Sequence, residues 1–245
     1  MVKGLDRLRE HFAEHADRYV IIGGTACDLA ISNAGLEFRS TKDIDVVLCL
    51  ETIDSEFARA FWSFIEAGAY ESLEAPPEVR TFYRFSKPRV DGYPAMVELF
   101  SRLPDVFKTQ ITGRLAPIPM GDDVSSLSAI LLDSEYYAWI HSGRTIIDGL
   151  PVVRPEHLIP LKARAWLDLT SRHADSRDIK KHKNDVFRLY AVTDPEYVAQ
   201  PTAAIRADIE QFVRKMRDES IDLKAFGLAG MSRDAVLDAL LARYA

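Results

Sequence analysis

The sequence predicts an α/β (α+β) architecture: a mixed β-sheet flanked by helices, followed by an all-helical bundle. Short apolar runs rich in β-branched and aromatic residues, at 19–22, 43–48, 81–85 and 95–100, alternate with segments of helical spacing. From Pro155 onward the pattern is helical throughout. No internal repeat or low-complexity tract interrupts the chain. The change of regime near residue 155 therefore divides it into a mixed domain, 1–155, and a helical domain, 156–245.

Residues 3–18 carry Leu5, Leu8 and Phe12 at helical spacing and predict an amphipathic helix. Within it, His11-Phe12-Ala13-Glu14-His15 matches the H-x-x-E-H zinc-protease pattern. Two histidines four apart share a helix face, but charged residues surround them and no third ligand stands out downstream. The match is read as chance and the face as solvated. The run Tyr19-Val20-Ile21-Ile22 reads as a buried strand that ends in Gly23-Gly24, and 25–34 has helical composition. After a second strand at 43–48, Phe57, Phe61, Phe64 and Ile65 mark the core stripe of a helix over 55–69. Pro76-Pro77 signals a loop over 71–78. Strands at 81–85 and 95–100 are joined around Lys87-Pro88-Arg89 and Asp91-Gly92. Further short strands are expected at 115–118, 135–141, 145–147 and 150–153, turning at Gly143 and Gly149, with 104–110 covering the sheet. Helices are expected over 156–169, 176–192, 202–219 and 232–244, punctuated by Pro195, Pro201, Gly227 and Gly230.

Bulk properties narrow the function classes. A chain of 245 residues with 47% hydrophobic and 28% charged residues has the composition of an ordinary soluble globular protein. No apolar run is long enough to span a bilayer, and the first residues lack the apolar core of a signal peptide, so no membrane partner is expected. Cys27 and Cys49 are too few for a disulfide framework and are expected as reduced thiols in a cytoplasmic protein. A net charge of −6 excludes a globally basic nucleic-acid binder but not a local basic groove.

The chemistry-bearing residues lie at the strand ends. Asp43 and Asp45 open the second strand two apart, so both carboxylates point one way and Ile44, Val46 and Leu48 the other. Neighbouring carboxylates repel each other unless a cation joins them, and a hard cation with oxygen ligands, usually Mg²⁺, is the natural partner. Gly23-Gly24 lets the backbone turn sharply and a ligand approach closely, and the helix that follows opens with N–H groups suited to phosphate. A phosphate seat beside paired carboxylates suggests phosphoryl or nucleotidyl transfer from a nucleoside triphosphate. Glu98 is a carboxylate in the middle of an apolar strand, and on the residues alone an exposed edge and a functional site remain equally open. Residues 162–190 hold Lys162, Arg164, Arg172, Arg177, Lys180, Lys181, Lys183 and Arg188 against Asp168, Asp175, Asp178 and Asp185. Most of these are expected on solvated helix faces. Lys162, among Leu158, Leu161, Ala165 and Trp166, and Asp185, between Val186 and Leu189, are placed on inward faces.

Gly23-Gly24 with Arg39-x-Thr41-x-Asp43-x-Asp45 resembles the signature of the DNA polymerase β-like nucleotidyltransferases. More closely, it is similar to the AbiEii-type toxins of type IV toxin–antitoxin and phage-defence systems. The resemblance covers 19–190. It implies catalytic roles for Asp43, Asp45, Glu98, Lys162 and Asp185, with Asp43, Asp45 and Glu98 as Mg²⁺ ligands. Gly23, Gly24 and Thr25 would seat the triphosphate, while Arg39 and Thr41 hold phosphates or brace the aspartates. Glu98 stands where the superfamily more often has Asp. The run Lys181-His182-Lys183-Asn184-Asp185 lacks the first acid of the family's pattern. The family's acceptor is the 3′ end of a tRNA and its partner a cognate antitoxin; the basic helix near Lys180 would suit an RNA backbone. A small-molecule acceptor, as in antibiotic-modifying nucleotidyltransferases, and a non-catalytic interaction module on the same fold are the alternatives.

Overall fold

The computed structural model describes residues 2–39, 41, 43–48, 55–72, 82–100, 130–131 and 133–245. The strand expected at 115–118, the cover at 104–110, most of the loop at 71–78 and Cys49 lie outside the described residues. The chain forms two compact units, one of Met1–Met120 with Arg144–Val153 and one of Gly121–Gly143 with Arg154–Ala245.

The first unit is built on a seven-stranded mixed sheet. Its strands are β1 (Tyr19–Ile22), β2 (Asp43–Leu48), β3 (Glu71–Ser72), β4 (Phe82–Ser86), β5 (Met96–Phe100), β6 (Arg144–Ile147) and β7 (Leu150–Val153), in the order β3-β4-β5-β2-β1-β7-β6. The two strands that carry the acids, β2 and β5, are parallel neighbours in the middle of the sheet. Helix α1 (Leu5–His11), α2 (Gly23–Asn33) and α3 (Ser55–Ala67) complete the unit. Alternation along each strand gives the sheet two different faces. On one, Tyr19, Val46 and Val97 meet Leu8, Phe12, Phe57, Phe61 and Phe64 in a shared apolar layer. Asp45 and Glu98, out of phase with Val46 and Val97, fall on the other. The β6–β7 hairpin turns on Asp148 and Gly149, both at positive φ (49° and 76°), the primed two-residue turn that matches strand twist.

The second unit is helical: α4 (Ser134–Ser142), α5 (Pro155–Ser171), α6 (Ser176–Tyr190), α7 (Ala203–Met216) and α8 (Arg233–Arg243), with a 3₁₀ turn at Leu223–Phe226. Most helix starts follow from local chemistry. Pro155 opens α5, and Asp175, Thr202 and Ser232 accept backbone N–H bonds at the starts of α6, α7 and α8.

Two expectations need correction. Residues 135–141 form a helix and not a strand: Asp133 caps it by accepting from the N–H groups of Glu135 and Tyr136, and Tyr136, Tyr137 and Ile140 are buried at helical spacing. The helix expected over 3–18 stops at His11 and tightens into a 3₁₀ turn over Ala13–His15. That turn carries His15 into the core against Phe57, while His11 pairs through its Nε2 with the Ala60 carbonyl and packs on Phe64. The face expected to be solvated is therefore partly a packing face, and the two histidines serve that packing.

Candidate active site on the first unit

The residues singled out from the first 100 positions converge. Helix α2 begins directly on the glycine pair, with Ile22 as its cap residue and Gly23 at a φ of +66°. The strand-to-helix change thus happens within one left-handed residue, where a side chain is strained. Space forbids one as well: a Cβ built on Gly23 would lie 1.7 Å from Asp45 Oδ2, and one on Gly24 would lie 2.7 Å from Thr41 Oγ1, with Arg39 Nη2 at 3.6 Å. The carboxylate of Asp45 therefore rests on the Gly23 backbone, and Thr41 rests on Gly24. Thr25, fully buried, donates from Oγ1 to the Asp43 carbonyl at 2.6 Å. These contacts tie Gly23, Gly24 and Thr25 to Arg39, Thr41, Asp43 and Asp45.

Sheet register extends the site sideways. Asp45 is the register partner of Ile22 on one side and of Glu98 on the other, and Glu98 in turn is the partner of Arg84 on β4. Register partners on adjacent strands share a face, so Asp45, Glu98 and Arg84 form a row with Asp43 two residues along β2. Glu98 is buried, which closes the alternative of an exposed edge. Arg84 Nε donates to Glu98 Oε1 at 2.5 Å, and Arg84 Nη2 bonds the same oxygen. Burial, followed by the Asp45 charge and a hydrogen bond between the two acids, pushes the Glu98 carboxyl up to about 9 against the pull of Arg84.

The sequence reading missed Arg84, although a signal was present. Each strand of the β4–β5 hairpin carries one charge among apolar residues, and the pairings Ser86↔Met96 and Arg84↔Glu98 follow from a single turn.

The donor set fits Mg²⁺ chemically: it is oxygen-only and made of carboxyl groups. Among the described residues, no three His, Cys, Asp or Glu side chains stand arranged to hold a metal ion.

Lys162 and Asp185 belong to the second unit, in α5 and α6. Lys162 Nζ lies 3.1 Å from Asp185 Oδ2, both are buried, and Arg188 Nη1 approaches Asp185 Oδ1 at 3.4 Å. Much of the basic stretch around them is neutralised: Arg172 pairs with Asp168 and Arg177 with Asp175, each at 2.9 Å, and Lys183 pairs with Glu219 at 2.7 Å. Arg164 makes two bonds to Asp208, at 2.8 and 3.0 Å.

No protein-family profile matches the sequence, and no curated protein matches it. Solved structures similar to this chain are nucleotidyltransferase-like proteins. One is an antigenic nucleotidyltransferase-like protein from Paracoccidioides brasiliensis, at 15% identity, covering 97% of this chain and 94% of that one, with a TM-score of 0.47. Another is the Megavirus polyadenylate synthase, at 12% identity, covering 88% of this chain and 36% of that one, with a TM-score of 0.44. A third is the antibiotic-resistance factor ANT(2'')-Ia, at 11% identity, covering 89% of this chain and all of that one, with a TM-score of 0.39.

Proposed function

We propose that the chain is a Mg²⁺-dependent nucleotidyltransferase that moves a nucleoside monophosphate from a nucleoside triphosphate to an acceptor hydroxyl. One observation carries the proposal: the carboxylate that rests on the glycine pair, Asp45, is also the register neighbour of Glu98. A phosphate seat and an acidic row are thereby joined at one residue. Asp43 and Asp45 would hold Mg²⁺, and Glu98 would complete the metal shell or take the proton from the acceptor hydroxyl. Bound there, Mg²⁺ offsets the charge of the triphosphate and of the entering and leaving oxygens during in-line displacement. Gly23 and Gly24 bring backbone N–H groups close to the phosphates, and Thr25 fixes the first turn against β2. Arg39 and Thr41, lying over Gly24, face the same phosphates. The acceptor oxygen bonds to the α-phosphorus as the bond to pyrophosphate breaks, and the hydroxyl proton passes to Glu98 in its ionised form, when it is not a metal ligand, or to solvent. By the family resemblance, Lys162 would stabilise the charge building on departing pyrophosphate, and Asp185 would orient Lys162 or the acceptor.

The family resemblance supports an RNA acceptor at a tRNA 3′ end, with toxicity and an antitoxin as its corollaries. The ion pairs of Arg164 with Asp208 and Lys183 with Glu219 favour a second reading, a small-molecule hydroxyl, because they leave less positive charge for an RNA backbone than the sequence count suggests. Incubation with each labelled triphosphate plus total RNA, and separately with aminoglycosides, tests both. Label in RNA supports the first acceptor and label in the drug the second; no label in either, together with no Mg²⁺–triphosphate binding, refutes nucleotidyl transfer.

A further inference from the structure

Arg84 lies outside the resemblance motif, yet it is the residue that holds Glu98. Its Nε and Nη2 both bond Oε1, and register places the two side chains opposite each other on adjacent strands. The guanidinium is thus a resident cation in contact with one of the three carboxylates proposed for Mg²⁺. A carboxylate oxygen that accepts two N–H bonds from one arginine is committed to it, and a cation nearby repels a second cation. We propose that Arg84 is a positioning residue that competes with the divalent ion for Glu98: it keeps Glu98 in the row beside Asp45 and yields it when the metal arrives. The proposal rests on the metal reading of Asp43, Asp45 and Glu98 and adds a control over it. Arg84 is one-fifth exposed against less than one-tenth for Glu98, so it has an outward path that Glu98 lacks.

Titration of the full chain with Mn²⁺ alone, following free ion by its solution EPR signal, measures the competition without any turnover. Wild type, Arg84→Met, Arg84→Lys, Glu98→Gln and the Arg84→Met/Glu98→Gln double variant are compared; Arg84→Gln takes the place of Arg84→Met if the latter does not fold. Arg84→Met is expected to bind Mn²⁺ about tenfold more tightly than wild type, since one nearby positive charge has gone. Arg84→Lys should return to within about twofold of wild type by restoring that charge, and the gain should vanish in the Glu98→Gln background. A structural role alone would shift stability and leave this pattern unchanged. Unchanged or weaker binding by Arg84→Met overturns the proposal, as does an equal gain with and without Glu98, which would mean a general charge effect not routed through that residue. Wild type that binds no Mn²⁺ refutes the metal reading itself, and the competition with it.

Discussion

The carboxylates of the two units are balanced differently. In the second unit, Asp208 meets Arg164 and the Tyr136 hydroxyl, and Asp185 meets Lys162 and Arg188. Those two buried acids each meet at least one cation supplied by the chain, and buried Glu156 accepts the Asp194 N–H. In the first unit, Glu98 meets Arg84, with Asp45 its register neighbour and Asp43 two residues along the same face. A buried acid matched by its own chain is complete as structure. Three acids brought to one face of a sheet are set up for a cation. The crowding of acids on one face, more than their number, is what separates a candidate site from an internal ion pair.

The largest expected effect is on transfer. Asp45→Asn should lower the rate at which labelled nucleotide is moved by about a thousandfold while circular dichroism stays unchanged, because it removes a charge at the reacting centre and not a packing group. A rate within threefold of wild type would break the comparison at its functional end. Gly23→Ala comes next. Its Cβ would collide with Asp45 Oδ2 and its φ is left-handed, so activity should drop about a hundredfold with a stability loss of roughly 1–2 kcal/mol. Gly24→Ala should be much milder, since it would meet only the Thr41 hydroxyl at 2.7 Å. Equal effects at the two glycines would mean that Asp45's seat on Gly23 is unimportant.

In the second unit the first readout is stability. Lys162→Met removes from buried Asp185 the ammonium at 3.1 Å, with Arg188 Nη1 still beside it at 3.4 Å. Breaking a buried pair from one side costs about 3–5 kcal/mol, whereas replacing both members with apolar groups is often close to neutral. Denaturant melts should therefore show a large loss for Lys162→Met and recovery in Lys162→Met/Asp185→Leu. If Lys162 also acts on pyrophosphate, the recovered double variant stays inactive. Full activity in it would leave the pair purely structural.

The sequence revealed most where chemistry and period coincide. Asp43 and Asp45 two apart on a strand, and a glycine pair at the end of another, required no long-range knowledge. Glu98 was visible as an oddity but not as a row member, because that depends on the β2–β5 register. Helix α4 was misread because Tyr136, Tyr137, Trp139 and Ile140 suit a strand by type and a helix by spacing; the deciding signal was the single capping residue, Asp133. The basic stretch was overcounted for another reason. The partners of Lys183 and Arg164 lie 36 and 44 residues further on, so a local charge sum could not include them.

The effects on stability against pH, which emerge only gradually along the titration, should have opposite signs in the two units. His157 packs its ring on Trp139 at 3.9 Å between centroids; its Nδ1 donates to the Trp139 carbonyl and its Nε2 accepts from the Tyr197 hydroxyl. With both nitrogens engaged in the neutral form, burial lowers its pKa to about 4. Between about 4 and the unfolded value near 6.5, the unfolded chain binds the extra proton, so stability falls as pH falls through that window, by up to about 3 kcal/mol. Glu98 behaves in the opposite sense. Its pKa is raised to about 9, the folded chain binds the extra proton above about 4.5, and stability falls as pH rises toward 9. Thermal melts across pH should therefore show an acid-side slope that His157→Gln flattens and an alkaline-side slope that Glu98→Gln flattens. Mg²⁺ should restore the alkaline side in wild type and leave the acid side unchanged, because the proposed metal site lies in the first unit and His157 in the second. If Mg²⁺ lifted both limbs equally, the cation would be acting on surface charge in general, and the acidic row would be no more a site than the paired acids of the second unit.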